Sequence, residues 1–213
     1  LTSNYIDGTR LRASAQTTAN LNPNWFFKGY VAYGFKDDKM KYLGQVEYSF
    51  DKKGYLPREF PKHSVAVSYQ YDNMLPSDKF INTDKDNMFT SLKWAKQTLY
   101  NYERKFTINY EHERENGLKT SVMLRHANYE PCGDLFYRTM ADEAKLQEAI
   151  KLNPALVDEG LMHTPYNTKD ITVAEATFGV RFAPGETFVN TKQRRLPINL
   201  DAPVFSLSHT FGV

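Results

Sequence analysis

The sequence predicts an all-β chain: an antiparallel transmembrane β-barrel, present in part as about nine strands, with one short helix in a long loop. Three observations carry that expectation. Apolar and polar residues alternate over long runs, and side chains in a strand point alternately to opposite faces. Several runs reach ten residues or more, whereas soluble strands average ~5–6 and a tilted strand crossing a bilayer takes ~9–11. Aromatic residues make up 14% of the 213-residue chain while its mean hydropathy is −0.60. That balance is expected when only alternate residues meet lipid. A soluble β-sandwich or ligand-binding barrel stays open as the second reading of the same alternation.

Composition sets the outer limits. Hydrophobic residues account for 41% of the chain, and no run approaches the ~18–20 uninterrupted apolar residues of a spanning helix. A helical membrane protein is therefore excluded. A net charge of +2 gives no argument for nucleic acid, and no nucleic-acid partner is expected. One cysteine, Cys132, rules out an internal disulfide framework. The chain opens Leu1-Thr-Ser without an initiator Met or signal sequence, which predicts a piece of something longer. Residues 1–213 read as a single barrel segment, a fragment of a larger barrel.

The elements follow in order. Thr9 to Leu21 alternates without a break, with Leu11, Ala13, Ala15, Ala19 and Leu21 on one face and Arg10, Arg12, Ser14 and Gln16 on the other. Asn22-Pro-Asn-Trp25 is turn chemistry, and a Trp beside it suits an interface belt. Phe27–Phe35 and Met40–Phe50 flank the charged turn Lys36-Asp-Asp-Lys39, the simplest reading being an antiparallel hairpin. So aromatic a hairpin needs a continuing sheet. After the proline-bracketed Tyr55–Pro61 segment, Ser64–Tyr71 alternates again, and Met88–Trp94 is a shorter, less regular strand. Phe106, Ile108 and Tyr110 alternate with Lys105, Thr107, Asn109 and Glu111, and Asn116-Gly117 then turns the chain into Leu118–Arg125. Residues 127–169 form a loop insertion. Within it, Thr139–Leu152 carries Ala, Glu, Lys and Leu at helical spacing, stopped by Asn153-Pro154. Thr172–Phe182 and Val204–Val213 complete the count of about nine. The long loops (51–63, 72–87, 126–170, 183–203) do not alternate cleanly with short turns as they do in outer-membrane barrels.

Pro57-Arg-Glu-Phe-Pro61, Thr177-Phe-Gly-Val-Arg-Phe-Ala-Pro-Gly-Glu186 and the segment from Leu196 to Thr210 are together distinctive. Asn20-Leu-Asn-Pro-Asn-Trp25 and Gly29-Tyr-Val-Ala-Tyr-Gly-Phe-Lys36 are further blocks of the same kind. On these residues the chain resembles an outer-membrane family of the Bacteroidetes whose activity is unknown. In that family a carboxypeptidase-regulatory-like β-domain precedes a large C-terminal barrel, itself distantly similar to the barrels of surface-antigen and outer-membrane assembly proteins. The resemblance covers most of the chain and is weakest between Asn128 and Lys169. It implies an outer-membrane location and further strands beyond the segment matching Val213. It implies no catalytic residues and no cofactor.

The chain offers little chemistry of its own. His112-Glu-Arg-Glu115 lacks the second His of a zinc-protease motif and alternates as a strand end, where that motif needs a helix. Ser208 and His209 fall on opposite faces of a strand, so they cannot pair as nucleophile and base. His63, His126 and His163 lack metal-ligand spacing. Cys132 reads as a free thiol in a loop.

Three groups of residues carry a binding or structural expectation. Lys192, Arg194 and Arg195 form a basic cluster suited to lipopolysaccharide phosphates or to acidic lumen residues. Arg58 and Glu59, between two prolines, read as a structural ion pair at a stiffened corner. Trp25, Tyr33, Phe35, Tyr48 and Phe50 read as membrane-interface aromatics. The leading functional expectation is a non-enzymatic barrel with a structural, transport or assembly role at the bacterial outer membrane. Its partners would be outer-membrane lipid and, besides, other outer-membrane proteins or the missing remainder of the barrel. The alternatives are an outer-membrane lipid-modifying enzyme and a soluble lipophile-binding β-barrel.

Overall fold

A computed structural model describes residues 2–76, 97–154, 165–190, 195–199 and 203–212. Its strands are β1 (Thr2–Asn4), β2 (Gly8–Gln16), β3 (Trp25–Gly34), β4 (Lys39–Ser49), β5 (His63–Met74), β6 (Leu99–Glu113), β7 (Leu118–Gly133), β8 (Ile171–Phe182), β9 (Phe188–Asn190), β10 (Arg195–Pro197) and β11 (Phe205–Gly212). One helix, α1 (Met140–Leu152), lies between β7 and β8. Nine of the strands make one antiparallel sheet in the order β1-β2-β3-β4-β5-β6-β7-β8-β11, and β9 pairs with β10 as a separate ribbon. The sheet does not close on itself. The chain is all-β with one helix, an open curled sheet of the kind a partial barrel presents.

Register follows the alternation. Phe27, Val46, Val67, Ile108, Leu124, Ala176 and Phe211 are successive partners across seven strands and so share one face. Lys28, Gln45, Ser68, Thr107, Arg125 and Glu175 make the adjoining row on the other. The sheet curls toward this second, polar face, where Phe26, Tyr30, Ala32, Lys41, Glu47, Ser64 and Asp72 are buried. A small apolar cluster of Ile6, Leu75, Tyr100 and Tyr102 packs at the end of the sheet near the β1–β2 turn, with Tyr5, Tyr71 and Cys132 against it.

Several boundaries move for identifiable reasons. β2 stops at Gln16 rather than Leu21. There the Thr17 hydroxyl accepts the Phe27 N–H at 2.8 Å, and the Ala19 N–H turns away to the carbonyl of Tyr55 at 2.9 Å. Trp25 opens β3 instead of standing in a turn, because Asn22 Oδ1 accepts the N–H groups of Asn24 and Trp25 and completes the bend just before it. β6 and β7 form the longest ladder, from Leu99↔Gly133 to Glu113↔Lys119, so β7 runs on to Gly133. Cys132 therefore sits within a strand and not in a loop. Two short pieces carried too little alternation to be read from sequence. β1 is held by an Asx turn in which Asn4 Oδ1 accepts from Ile6 and Asp7, with Gly8 at φ +62°. The β9–β10 ribbon is the other. The Met88–Trp94 strand lies outside the described residues.

Helix α1 starts where its cap dictates. Thr139 Oγ1 accepts the Asp142 N–H at 3.1 Å, Asp142 and Glu143 place negative charge in the first turn, and Lys151 sits in the last. Arg138 bonds Glu143 at 2.7 Å and Asn167 at 2.8 Å, tying the helix start to the chain returning toward β8. Long connections occur at both ends of the sheet. The β5–β6 and β7–β8 connections leave and re-enter the sheet at the end of the β3–β4 turn, while the β4–β5 and β8–β11 connections do so at the end of the β6–β7 turn. This explains why no short-long alternation shows in the sequence.

The β6–β7 turn gives a direct test of its glycine. Gly117 has φ +81°, and a Cβ there would run into the Ala183 carbonyl, whose own N–H bonds the Gly117 carbonyl at 3.0 Å. Gly117→Ala is expected to lose about 1–3 kcal/mol from backbone strain, with the clash adding to it. Gly185 has φ +76° but open space around it, so Gly185→Ala should lose only the strain. Denaturant unfolding of both variants checks this; equal losses would remove the contact from the account.

Candidate functional site

The two faces of the sheet differ in the opposite sense from a water-soluble sheet. On the outer face large apolar side chains stand open: Leu11 is 57% exposed, Phe35 58%, Met40 51% and Val31 49%. On the inner face ionic groups are shut away, with the side chains of Lys41 and Asp7 at 0% exposure. Strand parity puts them there, since Met40 and Tyr42 flank Lys41 and must point the other way.

The predicted interface aromatics fall into two groups at opposite ends of the outer face. Trp25 and Tyr48 are directly paired with ring centroids 4.9 Å apart, Tyr48 meets Phe50 at 5.2 Å, and Phe50 stacks on His63 at 4.3 Å. His63 continues the row to Tyr110 and His112. At the other end Tyr33 meets Phe35 edge-on at 5.3 Å, while Tyr42 contacts Tyr69 and Tyr71 at about 6 Å. Between the two ends, Ala15, Gly29 and Gly44 are cross-strand partners. Their missing side chains leave a shallow apolar groove of about 660 Å³ bordered by Phe27, Val31 and Val46.

The inner face is organised around an ionic knot near the β3–β4 turn. Lys41 Nζ donates to Asp7 at 2.6 Å and to both oxygens of Asp37 at 2.6 and 2.7 Å. Arg10 bonds Asp72 with both terminal nitrogens, at 2.7 and 2.8 Å, and reaches Asp7 at 3.4 Å. Asn73 donates to Asp7 at 2.7 Å, Tyr102 to Asp37 at 2.8 Å, and the Tyr30 hydroxyl to Asp72. Gly34 lies beneath the knot, where a Cβ would come within 2.7 Å of Lys41 Nζ and 3.0 Å of Asp7 Oδ1. The knot thereby joins β2, β3, β4, β5, β6 and two turns. Burial works to raise the Asp37 pKa, but the bonds from Lys41 and Tyr102 outweigh it and hold the carboxyl below its usual range. Further along the face, Lys105 bonds Glu103 at 2.8 Å, Arg125 pairs with Glu175, and Glu111 lies between Lys62 and Lys119.

The remaining predicted residues fare differently. Glu59 does not pair with Arg58. Its carboxylate accepts the main-chain N–H groups of Gly54 at 2.8 Å and Leu56 at 3.0 Å, which a tight connection offers closer than a side chain, and Arg58 is exposed. Lys192 and Arg194 lie outside the described residues, and Arg195 opens β10 opposite Asn190. The knot was missed from sequence. Its signals were the Asp7-Gly8 pair, Asp37 in the charged turn, and Lys41 between Met40 and Tyr42. Among the described residues no three His, Cys, Asp or Glu side chains cluster as a metal site, and no Ser hydroxyl bonds a His.

Residues 1–213 match the family model described as "Family of unknown function (DUF5686) C-terminal domain", and the chain belongs to that family. No curated protein and no solved structure matches it.

Removing one member of the knot strands the others. Lys41→Met is expected to destabilise by about 3–5 kcal/mol, because Asp7 and Asp37 stay buried without their cation. Adding Asp7→Asn should recover part of that loss in a double-mutant cycle; strict additivity would deny the coupling. Asp37, with its folded pKa held below the unfolded value, contributes stability that is present above the unfolded pKa. That contribution fades as pH falls through the folded value. Unfolding between pH 7 and pH 2 should therefore show a smaller acid sensitivity in Asp37→Asn than in the parent.

Proposed function

We propose that this DUF5686 C-terminal domain forms part of the wall of a bacterial outer-membrane β-barrel, with a non-enzymatic role in structure, transport or assembly. The observation that carries the reading is the partition of side chains: charges buried on the concave face, large apolar groups open on the convex one. In water such a continuous apolar surface is costly, whereas lipid takes it up without penalty.

Dimensions support the same reading. Trp25 and Phe35, one from each aromatic group, are ten residues apart, roughly 33 Å along a strand. At the ~40° tilt of membrane barrels this projects to about 25 Å, the height of their apolar band. The inner face, lined by paired ions, suits a polar lumen. The sheet has free edges, and β11 presents eight exposed residues on one of them. In this reading further strands, from elsewhere in the protein or from another chain, complete the wall.

Sedimentation with and without detergent, together with cell fractionation, tests the reading. The protein is expected in the outer-membrane fraction and dispersed only in detergent. A monodisperse species in plain buffer would mean that the apolar face meets a core, and the membrane reading would fall. A paired substitution sharpens the test. Val67 faces outward at mid-sheet and is 40% exposed, while its neighbour Ser68 faces inward. In a bilayer Val67→Arg should cost about 2–4 kcal/mol and Ser68→Arg much less; an exposed site in water would tolerate both.

A further inference from the structure

We propose that the cleft between the inner face and the 50–62 connection binds a phosphate-sized dianion. Its sheet wall is built by register: Gln16, Lys28 and Gln45 are directly opposite one another on β2, β3 and β4. At ~4.8 Å between strands, three donor side chains fall within about 10 Å. The connection supplies Pro57, Arg58 and Lys62, Phe26 and Glu47 complete the lining, and the cleft, with Gln16, Lys28 and Arg58 exposed at its mouth, has a volume of about 150 Å³.

Charge decides the ligand class. Glu47 is already occupied, accepting from the Ser64 hydroxyl at 2.8 Å and Gln45 at 3.4 Å, with Lys62 at 3.7 Å. Lys62 also pairs with Glu111, which Lys119 reaches at 3.2 Å. The cleft lining itself carries three cations (Lys28, Arg58, Lys62) against one carboxylate (Glu47), with Lys62 shared between Glu47 and Glu111. Among the described residues Lys28 and Arg58 make no ion pair. Two free cations beside two amide donors match a tetrahedral oxyanion carrying about two negative charges, as phosphate does near pH 7. The cleft has room for such a group and is open to solvent on one side.

The connection is fastened before any ligand arrives. Lys53 donates to the carbonyls of Glu59, at 3.1 Å, and Pro61; Glu59 accepts from Gly54 and Leu56; and Leu56 and Pro57 are buried. Arg58 is thus presented on a fixed loop, which lowers the ordering cost of binding. None of this depends on what the outer face meets.

Isothermal titration of the purified protein with inorganic phosphate, at constant ionic strength balanced by chloride, tests the site. Saturable binding is expected, weakened at least tenfold by Arg58→Gln and by Lys28→Gln, and unchanged by Lys145→Gln on the exposed side of α1. Circular dichroism checks that each variant is folded. Glucose 6-phosphate separates the sources: binding with the same sensitivity to Arg58 and Lys28 assigns the site to a phosphomonoester, and binding of inorganic phosphate alone assigns it to the free ion. Absence of saturable heat in the parent protein, or parental affinity retained in either variant, overturns the proposal.

Discussion

Everything in this fold hangs on one register. Because side chains alternate with a period of two, a slip of one residue in any ladder would throw that strand's apolar set onto the charged face. The row from Phe27 through Val46, Val67, Ile108, Leu124 and Ala176 to Phe211 holds only if six successive ladders are in phase. Local chemistry sets that phase at the turns. Asn4 and Asn22 bind the main chain at two of them, and Gly117 takes a left-handed backbone at a third. The turns are thus as much a part of the surface pattern as the strands.

Once the register is set, the concave face must hold ions, and it holds them in pairs. A lone buried lysine is very costly; Lys41 is buried between two carboxylates. Such a network contributes less to net stability than its short distances suggest, since desolvation offsets much of the attraction. Its consequence is directional. Arg10 on β2 reaches Asp72 on β5 across two intervening strands, so the curl of the sheet is specified by fork geometry as well as by twist. The apolar cluster around Ile6 and Tyr102 seals the same end.

The same division shapes the functional reading. In the proposed reading, a convex face with aromatic groups at its two ends meets lipid, and a concave face of paired ions lines an aqueous lumen. At the opposite end from the knot the pairing becomes incomplete. Lys28 and Arg58 are left over where the proline-bracketed connection folds inward, and that surplus gives the cleft its preference for an anion. Chemistry in this chain concentrates on the inner face and at the connections, where strand parity no longer constrains each residue.

Sequence alone determined the faces. Alternation is local, so the main strands, the Phe27–Asp51 hairpin, the Asn116-Gly117 turn and helix α1 with its Thr139 start were all legible before any tertiary contact was known. The chain's motifs pointed to an uncharacterised family, and a family of unknown function is matched over residues 1–213. Ends of strands were less legible, because they depend on rival partners: the Thr17 hydroxyl took the Phe27 N–H, Ala19 turned to Tyr55, and β7 kept its ladder to Gly133 because β6 lay beside it. The pairings of charge were not legible at all. Arg58 and Glu59 are neighbours in sequence yet do not pair, while Arg10 and Asp72 are 62 residues apart and do. Alternation states which side a charge faces, but only the curl of the folded sheet decides which opposite charge it meets, because that meeting is made across space and not along the chain.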